Sequence, residues 1–316
     1  MSNKLNRRSF LRQGTLAGAA SIVGLSLIPR ISWGSILKTT PDLVVVNGEE
    51  YFDNTRKAVE MLGGMKRFVG QGQIVGLLVN SDFEDRGAYV NPDIVLSIIQ
   101  QCVDAGAQEF ICLQKIKDEY WQRSMHYSDL QQLMDKVKSV ESNVFPAKFN
   151  EEDFRTVPEI QGAVLLKDME IVKAIDNCDV FINIAIGKHH ATTLYTGAIK
   201  NMMGICTRKS NVFMHLGAGT KNDPEHLGQS LAEINLYRKP DLVIVDSSYF
   251  ITTNGPVGPG EIKQPQKILA GTDIVATDSM GARLLGYEAS DILHIVKAHE
   301  LGQGEIDLSM IIVKET

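Results

Sequence analysis

The sequence predicts an α/β fold, a mainly parallel sheet with helices on both faces. Three observations lead there. Short apolar runs rich in β-branched residues recur at 73–79, 109–113, 181–186 and 241–245, as buried strands do. Between 73 and 113 a strand, an amphipathic helix and a second strand follow one another, the spacing of a parallel crossover unit. The composition, 44% hydrophobic and 22% charged over 316 residues, is that of a globular chain with room for one large domain or two modest ones.

The first 34 residues read as an export signal, leaving 35–316 as a single α/β domain. Asn6-Arg7-Arg8-Ser9-Phe10-Leu11 is a twin-arginine pattern, an Ala- and Gly-rich apolar run covers 15–28, and Ser32-Trp33-Gly34 places small residues where a signal peptidase reads. The alternative is an uncleaved anchor, but the run is short against the ~20 residues of a bilayer span. The partner so implied is the twin-arginine export machinery, and the compartment the periplasm. That route carries folded proteins, which hints at a cofactor inserted before export. Five of the 32 basic residues lie in the segment, so the remainder carries 27 basic against 38 acidic residues, a formal charge of −11. Such a chain has no general attraction to anionic surfaces, and no basic stripe interleaved with aromatics suggests nucleic acid. Cys102, Cys112, Cys178 and Cys206 form no C-x-x-C pair, so no iron–sulfur cluster is expected. Buried thiols are the expectation; an oxidising compartment also permits a disulfide.

In order, 42–46 reads as a strand and 51–62 as a helix stopped by Gly63-Gly64. The strand at 73–79 ends at Asn80-Ser81-Asp82, and the helix at 92–105 has Asn91 as cap, Pro92 at its first position and Gly106 as its stop. After the strand at 109–113, a polar, aromatic stretch at 116–152 suggests a helix at 128–140. A strand at 160–166 and a helix at 168–175 lead to the central strand at 181–186. Asp223-Pro224 caps a helix to about 237, a strand at 241–245 ends on Asp246, helices are expected at 272–285 and 290–299, and a strand at 308–313 closes the chain. The glycine–proline loop at 254–260 is a structural turn whose amides are also able to cradle an anion.

The stretch that carries chemistry runs from 181 to 215. Lys188, His189 and His190 stand at the carboxyl end of the central strand, where ligands bind in open α/β sheets. Residues 192–204 read as a helix with Leu194, Tyr195, Ala198, Ile199 and Met202 on one side and Thr193, Thr196, Gly197, Lys200 and Gly204 on the other. Glycine inside a helix costs about 1 kcal/mol against alanine, so Gly197 beside Lys200 implies close packing by a ligand or by another backbone. Asp246 suits a cation ligand, a substrate acceptor or a turn cap. Asp278 falls on the apolar side of its predicted helix, and a buried carboxylate needs a partner, whether a cation, a lysine or backbone donors.

Lys188-His189, the run Thr196-Gly197-Ala198-Ile199-Lys200-Asn201-Met202-Met203-Gly204, His215, Asp246, Gly255-Pro256 and the Asp273-to-Asp278 helix start resemble the prokaryotic family catalogued as domain of unknown function 362 (DUF362), from Asp42 to the end. Where many members carry K-P-N, this chain has Val79-Asn80-Ser81, and the cysteine cluster of some members is missing. The resemblance sharpens the site rather than the activity. More distantly, the order His189, Lys200, His215 resembles the nickel-pincer lactate racemase family.

Two readings of function follow. In the first, the protein is an exported enzyme acting on a small anionic molecule. Lys188 and Lys200 clamp a carboxylate or phosphate, and His189 or His215 transfers a proton. Asn201 and the hydroxyls of Thr193 and Thr196 orient the substrate, while Asp246 and Asp278 bind a divalent metal or tune a lysine. In the second, the same residues serve a periplasmic carrier for a small anion or metal, without catalysis. A helix that merely packs, with Lys200 in solvent, is the remaining possibility.

Overall fold

Residues 40–129, 131–139 and 151–316 are described by the computed structural model, and the export signal expected at 1–34 lies outside them. Strand β1 (Leu43–Asn47) and helix α1 (Tyr51–Met61) come first. Strand β2 (Ile74–Val79) is followed by helix α2 (Pro92–Ala105), which has the predicted bounds. The Asn91 side chain accepts from Asp93 N at its start, and Gly106 closes it with φ at 105°. Strands β3 (Glu109–Cys112) and β4 (Val137–Ser139) complete this half of the sheet, and β5 (Phe154–Glu159) and β6 (Lys167–Val172) pair as a separate antiparallel hairpin.

Strand β7 (Val180–Ile186) leads into a second small hairpin, β8 (Lys188–His190) with β9 (Leu194–Thr196), and then into helix α3 (Ala198–Asn201) with a 3-10 turn at Met202–Ile205. Helices α4 (Arg208–Leu216) and α5 (Pro224–Ile234) are each capped by their preceding side chain, Thr207 and Asp223. Strand β10 (Leu242–Ser247), the short pair β11 (Phe250–Ile251) and β12 (Ile262–Lys263), strand β13 (Lys267–Gly271), helices α6 (Ile274–Leu285) and α7 (Leu293–Glu300), and strand β14 (Val313–Glu315) finish the chain.

The main sheet has eight strands in the order β14-β1-β13-β10-β7-β2-β3-β4. Only β13 runs against its neighbours; the other pairings are parallel. Every residue of β7 and β10 is buried, so both faces of the sheet are covered there, and for that reason those strands read as apolar runs, broken only by Asn183 and by the strand-end Asp246-Ser247. The α/β class predicted from sequence is the class observed. The strand order also contains a switch point. From β2 the chain moves outward to β3 and β4, then returns to β7 on the other side of β2 and continues to β10. The crevice beyond the carboxyl ends of such a strand pair is where open α/β sheets bind ligands.

Several local expectations are corrected. The apolar stretch at 160–166 is a turn, not a strand, because the Glu233 carboxylate on α5 takes the N–H groups of Val164, Leu165 and Leu166 at 2.8–3.0 Å. Residues 168–175 are mostly strand β6, whose alternate residues Met169 and Ile171 are buried. The helix expected at 128–140 shrinks to one turn, Gln131–Met134, because Val137–Ser139 extends the sheet beside β3. The closing strand starts later than expected, since Asp307 caps a 3-10 turn at Leu308–Met310. Strand β13, the reversed one, was not anticipated.

The helix expected at 192–204 starts only at Ala198. Before it, local side-chain bonds hold a hairpin instead: His190 Nδ1 accepts from Thr192 N and Thr193 N, and Thr193 Oγ1 donates to Tyr195 O. Leu194 at the tip takes φ of 61°.

Candidate functional site

A cavity of about 330 Å³ sits at the carboxyl ends of β2 and β7, at the switch point. Its walls come from the residues after β2 (Asn80 to Phe83), from Gln114 beyond β3, from Lys188 and His190 of β8, from Thr196, from Lys200, Asn201, Met203 and Gly204 of the α3 region, and from the inner face of α4. Asn222 and Pro256 complete it.

Helix α3 is held by contacts that no local sequence pattern reveals. Asp278, fully buried on α6, accepts from Ala198 N at 2.7 Å and Ile199 N at 2.8 Å, the otherwise unpaired first donors of the helix. Asn183, in the middle of β7, donates to Ala198 O and accepts from Asn201 Nδ2 at 2.8 Å. Asn201 also donates to Leu78 O. Together these bonds fix Lys200 over the strand ends. Gly197 is needed because a Cβ there would stand 2.2 Å from Asp278 Oδ1; the close packing is by that carboxylate and by Tyr195. Burial pushes Asp278 up to about 7, against the pull of the Ile199 and Ala198 amides.

Lys188 is fully buried. Its ammonium donates to Ala88 O and, at 2.9 Å, to Pro256 O, and lies 3.9 Å from the centre of the Phe83 ring. Burial and the nearby Lys200 charge lower its pKa well below the usual lysine range, opposed by Asp82. Lys200 has a different environment. Its ammonium meets Met203 Sδ at 3.6 Å and forms no ion pair with a carboxylate among the described residues. Burial lowers its pKa to about 8, so it is mostly charged at neutral pH.

The two cavity histidines are fixed in opposite tautomers. His190 Nδ1 accepts two backbone N–H bonds, at 3.1 and 3.2 Å, so it carries no proton and the ring proton sits on Nε2. Burial, with the Lys200 charge, holds this imidazole neutral, its pKa pushed down to about 2. His215 Nδ1 lies 2.9 Å from Asn211 O, a carbonyl, so Nδ1 is the donor and Nε2 keeps its lone pair. Burial and Lys200 lower its pKa too, opposed by the Asn211 carbonyl. The ring centres are 6.3 Å apart. One imidazole is a fixed donor and the other a fixed base.

Of the residues expected from sequence, Lys188, Lys200, His215, Thr196 and Asn201 line the cavity, though Asn201 is occupied in holding α3 to the strands. The others stand elsewhere. His189 points away from the cavity, and its Nδ1 accepts from Gly255 N at 3.0 Å. A glycine is required at 255, since a Cβ would stand 1.8 Å from His189 O. Thr193 is bonded within its own turn. Asp246 accepts from Asn91 N at 2.9 Å and from Ser248 N at 3.0 Å, joining β10 to the start of α2, and does not line the cavity. Asp278 is the cap of α3.

Reading the sequence missed His190, Asn183, Asn211 and Asp82. Asp82 lines the cavity, its pKa pushed up to about 6 by burial against the charges of Lys117 and Lys188. Two of these had a signal: Asn183 is a lone polar residue in an apolar run, and Asp82 is a strand-end carboxylate. Among the described residues no group of three or more His, Cys, Asp or Glu side chains is placed to hold a metal ion. All four cysteines are buried free thiols outside the cavity, and burial pushes Cys112 up to about 12. Among the described residues no helix is long and apolar enough to cross a membrane.

The chain is 25% identical over 256 residues to the thylakoid-associated protein sll1697 of Synechocystis sp., covering 78% of this chain and 74% of that one. A solved structure, the lactate racemase apoprotein of Thermoanaerobacterium thermosaccharolyticum, superposes with a TM-score of 0.42 at 11% identity, over 75% of this chain and 57% of the other. The family model of the domain of unknown function DUF362 matches residues 77–283, a span that runs from β2 into α6 and includes every wall of the cavity. The chain belongs to the DUF362 family.

Proposed function

We propose that the protein is an enzyme that binds a small anion and moves a proton on it. One observation carries this reading: an ammonium with no ion-pair partner among the described residues, Lys200, shares a cavity with two imidazoles of opposite tautomer. A partly buried cation is stable only with a partner, and a bound anion is the partner that suits Lys200. His215 Nε2 is the base that accepts the proton. His190 Nε2–H is a neutral donor aimed at the oxygen on which charge develops, a role that needs a ring unable to take up a proton at Nδ1. Lys188, tied to two carbonyls, builds the wall.

Export through the twin-arginine route belongs to the same proposal and rests on Arg7-Arg8 and the apolar run behind them. Replacing both arginines with lysine should leave the protein in the cytoplasmic fraction; unchanged export would refute that part.

Proton transfer is tested by incubating the protein in deuterium oxide with a panel of small carboxylates and phosphates, and following C–H loss by NMR. Exchange of one ligand proton is expected, with a drop of at least about a hundredfold in His215→Asn. In that variant the amide can still donate to Asn211 O in place of Nδ1 while the base is gone. Binding of a ligand with no exchange at any of its positions would favour a carrier.

A further inference from the structure

Three residues of the cavity wall carry a buried polar atom without a partner among the described residues: Asn80 Oδ1, Thr196 Oγ1 and Asn211 Oδ1. Thr196 is 3% exposed and Asn211 5%. The Asn211 amide is oriented, since its Nδ2 donates to Cys206 O at 3.3 Å, so Oδ1 is left as an acceptor. His215 Nε2 adds a further lone pair. Buried polar groups left unpaired are rare, and each calls for a partner.

A simple anion cannot supply all of them. Acetate would meet Lys200 with its oxygens and bring no donor to the two amide oxygens, and inorganic phosphate near neutral pH brings only its one or two P–OH donors, all on the anionic group that meets Lys200. A ligand ammonium would bring donors but would stand beside the Lys200 charge. Hydroxyl groups donate without charge. The space also exceeds a two- or three-carbon anion, since 330 Å³ is the share of about ten water molecules.

We infer that the ligand is a polyhydroxylated anion of roughly ten to fifteen non-hydrogen atoms, a sugar acid or a sugar phosphate. Its anionic end meets Lys200, and its hydroxyls meet Asn80 Oδ1, Thr196 Oγ1 and Asn211 Oδ1. This rests on the anion-binding reading above and adds the requirement for hydroxyls.

The test is calorimetric titration of the full protein with two matched pairs: acetate against gluconate, and inorganic phosphate against ribose 5-phosphate. At least one hydroxylated member should bind ten times or more tightly than its plain counterpart, and which one does so distinguishes a carboxylate from a phosphate source. Thr196→Val removes a hydroxyl that bonds nothing in the protein, so its melting temperature should be unchanged or higher. It should lose about tenfold for the hydroxylated ligand and nothing for acetate or phosphate. Asn80→Ala provides the same contrast at a second position should the first variant not fold. Gluconate and ribose 5-phosphate binding no better than their counterparts, or Thr196→Val weakening both members of a pair equally, overturns the hydroxyl requirement and leaves the anion site standing. Failure of all four to bind overturns the anion site and this inference with it.

Discussion

The chemistry of the site turns on which ring nitrogen of each histidine is already engaged. His190→Asn places an amide oxygen near the position of Nδ1, so the N–H groups of Thr192 and Thr193 keep an acceptor while Nε2–H is lost. Its melting temperature should stay near that of the parent, and turnover should fall by about a hundredfold or more. His190→Ala removes the acceptor as well and should cost about 1–3 kcal/mol in a denaturant titration. Equal stability of the two variants would show that the backbone bonds to His190 Nδ1 carry nothing. At this scale the sequence was partly legible. Basic groups after an apolar strand marked the place, and Lys188, Lys200 and His215 were visible from it. The choice between His189 and His190 was not. Neighbours on a strand point to opposite faces, so one step of register decides, and register follows from the hairpin that β8 makes with β9. A turn cap at Asp246 and backbone donors for Asp278 were among the alternatives read from sequence, and Ser248 N supplies the first; the choice among them was not legible, because the other partners are backbone amides 155 and about 80 residues away.

Among the elements, α3 is the one that the site depends on and the one least supported by its own sequence. Four residues do not make an independent helix; Asp278, Asn183 and Asn201 hold it. Asp278→Ala leaves two buried N–H groups unpaired and should cost about 3 kcal/mol. It should also weaken anion binding although Lys200 is intact, because the ammonium is no longer fixed. Gly197→Ala forces a methyl against the same carboxylate and should destabilise by about 1–3 kcal/mol. Were glycine there to admit a ligand, that substitution would instead impair binding with stability unchanged, so thermal melts with and without anion separate the two. Where capping is local, as at Asn91, Asp223 and Asp273, helix starts were readable to within a residue or two. Where a distant carboxylate does the work, as Glu233 does for residues 164–166, an apolar run read as strand turned out to be a turn.

For the whole molecule, the parallel sheet was readable because its central strands are buried on both faces and carry largely apolar runs. The reversed strand β13 was not, since nothing in five residues states direction. Acid sensitivity also belongs to this scale. His294 is fully buried with neither ring nitrogen bonded among the described residues, and burial, with the Lys200 charge, pushes its pKa down to about 3, below the 6.5 of an unfolded chain. A base with a lowered folded pKa contributes its full stability above 6.5 and loses it as pH falls toward 3, by about 1.4 kcal/mol per pH unit. His190 acts in the same direction. His294→Phe, which can keep the stack on Tyr195, should flatten the acid limb of the stability curve by about that slope. An unchanged acid limb would mean that His294 is already protonated or hydrated in the folded protein.

In the proposed function the charge on Lys200 makes the cavity an anion site, and its pKa of about 8 makes that charge titratable under ordinary conditions. Titrating acetate and gluconate, whose own charge is constant from pH 6.5 to 9.5, reads it directly. Affinity is predicted to be level up to about pH 7 and to fall as pH rises through 8, approaching tenfold per unit. Lys200→Met should remove both the affinity and its pH dependence. Affinity that ignores pH across that range, or a methionine variant that binds as the parent does, would contradict the assignment of Lys200 as the group that holds the ligand.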